Sequence, residues 1–239
     1  MVAKNLSITH PHVQIQALEL VHGKRIFTRT AVHAAPKRFL LIALLPSGDG
    51  PRLIPQLNDH MFISHKHSSP NDNDELQSIS DNASESSIIR STPMTPDVTI
   101  DSVADSNRRH TITKSDIDLL IAQTTTVRLD SEVRSYIHNI AIFLRTHRAV
   151  AGGISALSTR HFLSLSHALA PLHGLSYVSP SLVALAARKV YPHRIVLARP
   201  ENERSMMWGS DVRAVRALLE GLTVEDVIED VLRNVEMPL

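Results

Sequence analysis

The sequence predicts an α/β fragment followed by a mainly α helical bundle, with a disordered insert between the two. Three observations carry this. Proline-bounded apolar runs and β-branched residues mark residues 1–65. A Ser-rich acidic stretch without aromatic residues occupies 66–112. Apolar residues at three- and four-residue steps dominate the rest.

The elements follow in chain order. His12 to Val21 reads as a helix with Val13, Ala17, Leu18 and Leu20 on one side, stopped by Gly23 as a C-terminal glycine. Lys24 to Val32 alternates and is rich in β-branched residues, which suits a short strand or hairpin. Lys37 to Leu45 lies between Pro36 and Pro46 and reads as a buried strand of a parallel sheet. Pro51 to Pro55 is a loop, and Met61 to Ser64 a candidate short strand.

The insert holds ten serines, four basic and eight acidic residues. Its apolar residues are too sparse to offset chain entropy, so disorder is expected. Thr92-Pro93 and Thr95-Pro96 are proline-directed phosphorylation patterns, and Arg108-Arg109-His110-Thr111 is a basophilic one. A plain linker is the simpler reading.

Helices are expected after the insert. Thr113 with Asp116 caps a helix carrying Ile117, Leu120 and Ile121. Ser131 to Arg148 repeats Val133, Tyr136, Ile137, Ile140, Ala141 and Leu144, with Gly152-Gly153 ending it. Ser158 to Ala170 turns Phe162, Leu165, Ala168 and Leu169 inward, and Pro171 and Gly174 break the pattern. Ser179-Pro180 is a cap followed by proline at the first helical position. Thr223 with Asp226 opens the last helix. Before it, Met206, Met207 and Trp208 form an apolar patch. It is read first as an anchor of the tail on the bundle, and second as a docking surface for a partner.

Composition excludes several classes. The 239-residue chain has a net charge of +1, so charge alone would not recruit nucleic acid or an anionic membrane. The total hides +4 in residues 1–65 (seven basic, three acidic) against −4 in the insert. The basic residues Lys24, Arg25, Arg29, Lys37 and Arg38 have only Phe27 and Phe39 among them, too few for a stacking groove. No cysteine is present, which removes disulfides, redox pairs and zinc ribbons. The longest apolar run, Phe39 to Leu45, is too short to span a bilayer, and the N-terminus lacks an apolar signal region. A soluble, cytoplasmic chain without nucleic-acid or membrane partners is expected.

Chemical motifs are scarce. The fourteen histidines include the pairs His10/His12 and His65/His67 but no HExxH, so no metal site is expected. His138, His147, His161 and His167 read as helix-surface or interface residues. No G-x-S-x-G occurs. No G-x-x-x-x-G-K-[ST] occurs either, so these residues offer no backbone cradle for a nucleoside triphosphate.

A family resemblance enters at the N-terminus. MVAKNLSITHPHVQIQALELVHGKRIFTRT resembles the Walker B strand, loop and helix of the MoxR and magnesium-chelatase I-subunit family of AAA+ ATPases, with Gln14, Ala17, Leu18 and Glu19 at matching helix positions. PKRFLLIALLP resembles its sensor-1 strand, and PRLIPQLNDHMFIS its arginine-finger segment. TITKSDIDLLIAQTTTVRLDSEVRSYIHNIAIFLRTHR and SALSTRHFLSLSHALAPLHGLSYVSPSLVALAARKVYPHRI resemble its helical lid. The chain is similar in this to fungal proteins of magnesium-chelatase-like type. The resemblance implies a partial AAA+ core over 1–65, the insert over 66–112, a lid over 113–197 and a helical tail over 198–239.

The departures matter as much. The Walker B carboxylate positions hold Lys4 and Asn5, the sensor-1 position falls near Leu45, and the arginine-finger position is His60. Arg160 matches the sensor-2 arginine, or is a surface charge early in a helix. Walker B carboxylates organise Mg²⁺ and polarise water, so ATP hydrolysis by this chain alone is not expected. The resemblance implies ATP and Mg²⁺ only if a P-loop is supplied upstream or by a neighbour. It implies oligomers with AAA+ subunits or a protein substrate as partners. The chain is then a truncated or a degenerate family component. The alternative is a non-catalytic helical interaction module.

Overall fold

The computed structural model describes residues 1–27, 31–46, 51–67 and 112–238. Residues 68–111, with the expected disorder and the three phosphorylation motifs, lie outside the described residues, as does Arg29.

The N-terminal part is α/β. Strand β1 (Val2–Lys4) pairs in parallel with β4 (Ile42–Leu44), in the register Val2↔Ile42, Ala3↔Ala43, Lys4↔Leu44. Helix α1 (Pro11–Gly23) lies between them in sequence, with proline in its first turn. A hairpin follows, β2 (Arg25–Phe27) against β3 (Val32–Ala34). Helix α2 (Pro55–His60) comes next. Its start is held from a distance: buried Gln14 accepts the Ile54 N–H at 2.8 Å and reaches the Thr9 carbonyl at 3.2 Å. Leu6, Leu53 and Leu57 form a small core here, packed by Ala3, Ala17, Leu18, Ala43, Ile54 and Met61.

Several expectations change in this part. Ala17, Leu18 and Leu20 face inward on α1 as expected and buried Gln14 joins them, while Val13 is exposed. Gly23 ends the helix but is not its left-handed residue; Lys24 is, at φ 53°. The β4 strand is parallel but not buried. Successive residues face opposite sides. Ala3 and Ala43 lie on the small core, and Val2, Ile42 and Leu44 on the other face are exposed. Met61 to Ser64 forms no strand. Pro55 at the first helical position instead makes the preceding loop run into α2.

The helical part is built on α4 (Ser131–Thr146), α5 (Ala156–Leu172), α6 (Pro180–Val190) and α8 (Val224–Asn234), with the short α7 (Val212–Leu219) before the last. All six apolar residues expected inside α4 are buried. Five of them, all but Ala141, meet Phe162, Leu165, Val183, Ala186 and Val190 in one core. Ser179 caps α6 by accepting the Leu182 N–H. Thr223 and Asp226 form a reciprocal capping box on α8. That helix contributes Val227, Ile228 and Val231 to the same core, so packing continues through the expected tail. Residues 1–65 and 118–239 form one compact unit. Helix α3 (Lys114–Thr126) has the expected Thr113–Asp116 cap, but none of its residues is buried.

The glycine pair does not end α4, which stops at Thr146. Gly152 closes β5 (Val150–Gly152), antiparallel to β6 (Val196–Leu197). These strands are too short to leave a periodic signal. Gly153 sits at φ +102°, where a Cβ would lie 1.9 Å from the Arg194 carbonyl oxygen. Only glycine allows that approach. Helix α5 runs to Leu172 through Pro171. It closes with Gly174 at φ +69° and the Leu175 N–H on the Ala170 carbonyl, a Schellman turn.

The Gly153→Ala substitution is expected to destabilise the protein by at least ~1–3 kcal/mol through overpacking. Gly152→Ala, with open space around its Cβ, is expected to be nearly neutral. Chemical denaturation of the two variants checks the contrast.

Candidate functional site

The small N-terminal core and the large helical core do not share a residue. A set of hydrogen bonds spans the space between them. Arg194, just after α6, has a side chain that is 1 % exposed. Its guanidinium donates to the carbonyls of Asp59 (3.1 Å) and Met61, and to His161 Nδ1 at 2.6 Å. Its Nε lies 3.8 Å from the Asp59 carboxylate. Asp59 in turn accepts the Ser155 hydroxyl at 2.7 Å. His193 Nε2 donates to the Met61 carbonyl at 3.0 Å. Asn58 donates to the His193 carbonyl at 2.7 Å, and the Ser64 N–H to the Lys189 carbonyl at 2.9 Å. The Phe62 ring meets His161 edge-on at 5.0 Å.

Burial sets the charge states at this joint. A guanidinium is only a donor, so His161 must present a bare Nδ1 to Arg194. Burial, then Arg194, lowers the His161 pKa. Burial, then Arg194, lowers that of His193 to about 4, against the pull of its bond to Met61. Arg194 is itself lowered by burial, with Asp59 opposing. Two neutral histidines thus flank one buried cation.

The residues singled out by the sequence occupy three other places. Lys4 ends β1, Asn5 follows in the left-handed region at φ 55°, and Leu45 follows β4. The Asn5 N–H bonds the Leu44 carbonyl at 2.8 Å. These three share the C-terminal edge of the parallel pair, where α/β sheets place their ligand sites. His60 ends α2, its ring edge-on to His22 at 5.4 Å. Arg160 is exposed in the second turn of α5 and bonds no described residue. No hydrogen bond or ion pair joins Arg160 or His60 to the Lys4 edge among the described residues. No group of three metal-ligating side chains occurs among them. Two open clefts, of about 220 and 670 Å³, contain none of these positions.

The tail is anchored differently from the first reading. Met207 and Trp208 are 90 % and 89 % exposed on a 3₁₀ turn, Arg204–Trp208. Polar bonds hold that turn. Buried Glu203 pairs with Arg148 at 2.9 Å and accepts the Ser205 N–H at 2.9 Å. Arg204 donates to the Arg145 carbonyl at 2.9 Å. Ser205, then Arg148, lowers the Glu203 pKa.

Sequence reasoning missed Arg194, His193, Asp59 and Ser155 as a group. Their residue types give no hint of burial. The one usable signal was the Pro192-His193-Arg194 step closing α6, where two polar residues precede buried Ile195.

Comparison with known proteins adds the following. Residues 142–218 match the model of the AAA lid domain. The chain is 37% identical over 106 residues to maintenance of telomere capping protein 2 of Saccharomyces cerevisiae, covering 42% of this chain and 30% of that protein. It is 27% identical over 128 residues to the uncharacterized protein YeaC of Bacillus subtilis, covering 54% and 35%. The chain therefore spans about a third of the length of these relatives. Its fold resembles the crystal structure of a candidate ATPase from Cytophaga hutchinsonii, with TM-score 0.64 and 15% identity, over 100% of this chain and 66% of that one. The lid match and this neighbour support an AAA+ relationship.

Replacing Arg194 with Met is expected to cost about 2–3 kcal/mol, because the Asp59 and Met61 carbonyls and His161 lose their donor. Trp208→Ala is expected to leave stability within about 0.5 kcal/mol, as for a surface change. Thermal denaturation of each variant checks both.

Proposed function

We propose that this chain is a MoxR-type or magnesium-chelatase-type AAA+ component that acts through its lid in a multimeric complex and does not hydrolyse ATP alone. The observation that carries this is the pairing of a well-packed lid with an unsuited nucleotide edge. The lid match spans 142–218, which supplies much of the large apolar core. At the C-terminal edge of β1 and β4, Lys4 brings a cation to the position where Mg²⁺ would need a carboxylate. Asn5 and Leu45 beside it add no charge to replace it. Mg²⁺ and ATP do not fit these residues, and no hydrolytic step runs through them. The telomere role in the yeast relative's name is not carried over, since the chain covers 30% of that protein.

A second reading is favoured by a different observation. Met207 and Trp208 stand in solvent on a turn fixed by Glu203, Arg148 and Arg204. A rigidly held, exposed aromatic suits a non-catalytic interaction module.

Titration of the purified chain with a fluorescent ATP analogue, with and without Mg²⁺, separates hydrolytic from non-hydrolytic readings. No Mg²⁺-dependent binding in the micromolar range is expected. Such binding, with phosphate release, would overturn the proposal. Sedimentation across a concentration series is expected to show self-association through the lid component, which the interaction-module reading does not require.

A further inference from the structure

We propose that the joint between residues 58–64 and the α5–α6 side of the helical bundle is an acid-released latch, closed only while His161 and His193 are both uncharged.

The argument starts from the kind of contact. Hydrogen bonds from residues 58–64 to Ser155, His161, Lys189, His193 and Arg194 span the joint, so charge acts directly on its strength. His161 is tied to a neutral form by its donor Arg194, and His193 by its burial beside Arg194. His161 Nδ1 accepts from Arg194 at 2.6 Å; a proton there would set N–H against N–H. His193 donates from Nε2 to Met61, and its Nδ1 is buried without a partner. Protonating Nδ1 would bury a second cation beside Arg194. Asp59 is the carboxylate facing this cluster, and it is shared by Ser155 Oγ and, at 3.8 Å, Arg194 Nε. His60 adds a further repulsion on His161. Tyr191 faces Arg194 from the end of α6.

The direction follows from linkage. Both histidines have lowered pKa values when the latch is closed and recover the ordinary value of about 6.5 when it opens. The open form therefore binds more protons below that value. Closure is fully present above it and is lost as pH falls toward about 4, the His193 value. The carboxylates with resolved shifts, Asp116, Glu203, Asp226 and Glu229, are all lowered from their ordinary values, so they stay ionised between about pH 7 and about pH 5.

The Ser64 amide, bonded to the Lys189 carbonyl, reports on the latch, and the Ile140 amide inside α4 reports on the bundle. Hydrogen exchange of the full chain is measured at about pH 7 and about pH 5 and corrected for intrinsic rates. Protection of Ser64 is expected to fall at least about tenfold, the effect of one displaced pKa unit, with Ile140 protected throughout. The double variant His161→Asn and His193→Gln keeps an acceptor and a donor without a titrating ring. It is expected to hold Ser64 protected at both pH values. Equal protection of wild-type Ser64 at both, or equal loss in the double variant, would overturn the latch. Should the variant fail to fold, NMR titration of the wild-type imidazoles decides. Both rings titrating near the ordinary value with Ser64 still protected would refute the proposal.

Discussion

The guanidinium of Arg194 is the contact on which the rest of the structure depends. It is buried between two apolar cores that remain separate. A buried cation is costly unless it is hydrogen-bonded and paired. Here two carbonyls and an imidazole, from both sides of the joint, converge on Nη2, and the Asp59 carboxylate lies 3.8 Å from Nε, while Nε and Nη1 are buried without a hydrogen-bond partner among the described residues. The same segment fixes its neighbours. The Arg194 carbonyl presses against Gly153, so the turn into α5 is set by the turn that follows α6. The joint, the glycine and the β5–β6 ribbon are therefore one constraint.

This arrangement explains why the N-terminal part keeps its place with so little core of its own. Leu6, Leu53 and Leu57 are its only buried large apolar residues besides Leu20 among those described. Gln14 ties the loop after β1 to the start of α2 by hydrogen bonds alone. Polar contacts give direction and register more readily than apolar area does.

Much of the helical part was legible in the sequence. The α4 row from Val133 to Leu144 is a strong periodic signal, and Ser179-Pro180 and Thr223 with Asp226 are local rules that the backbone obeys. Elements that depend on tertiary neighbours were not legible. The β5–β6 pair brings together residues over forty positions apart in sequence, with only Val150 and Gly152 paired to Leu197 and Val196. The exposed faces of α3 and β4 look apolar in sequence because composition records residue type, not what covers it. At the candidate site, Lys4, Asn5, Leu45, His60 and Arg160 came from resemblance. The joint came from distances that no spacing rule encodes. His193 and Asp59 are unremarkable residues in sequence, and only their approach to Arg194 gives them a role.

The tryptophan turn has a spectroscopic consequence. Trp208 is the sole indole in the chain, and it faces solvent at the end of a polar-anchored turn. Its emission should already be that of a hydrated indole in the native state. Intrinsic fluorescence would then be nearly silent when the helical core melts. A blue shift in this chain would report that something has covered the turn, which makes the protein a label-free sensor of its own contacts.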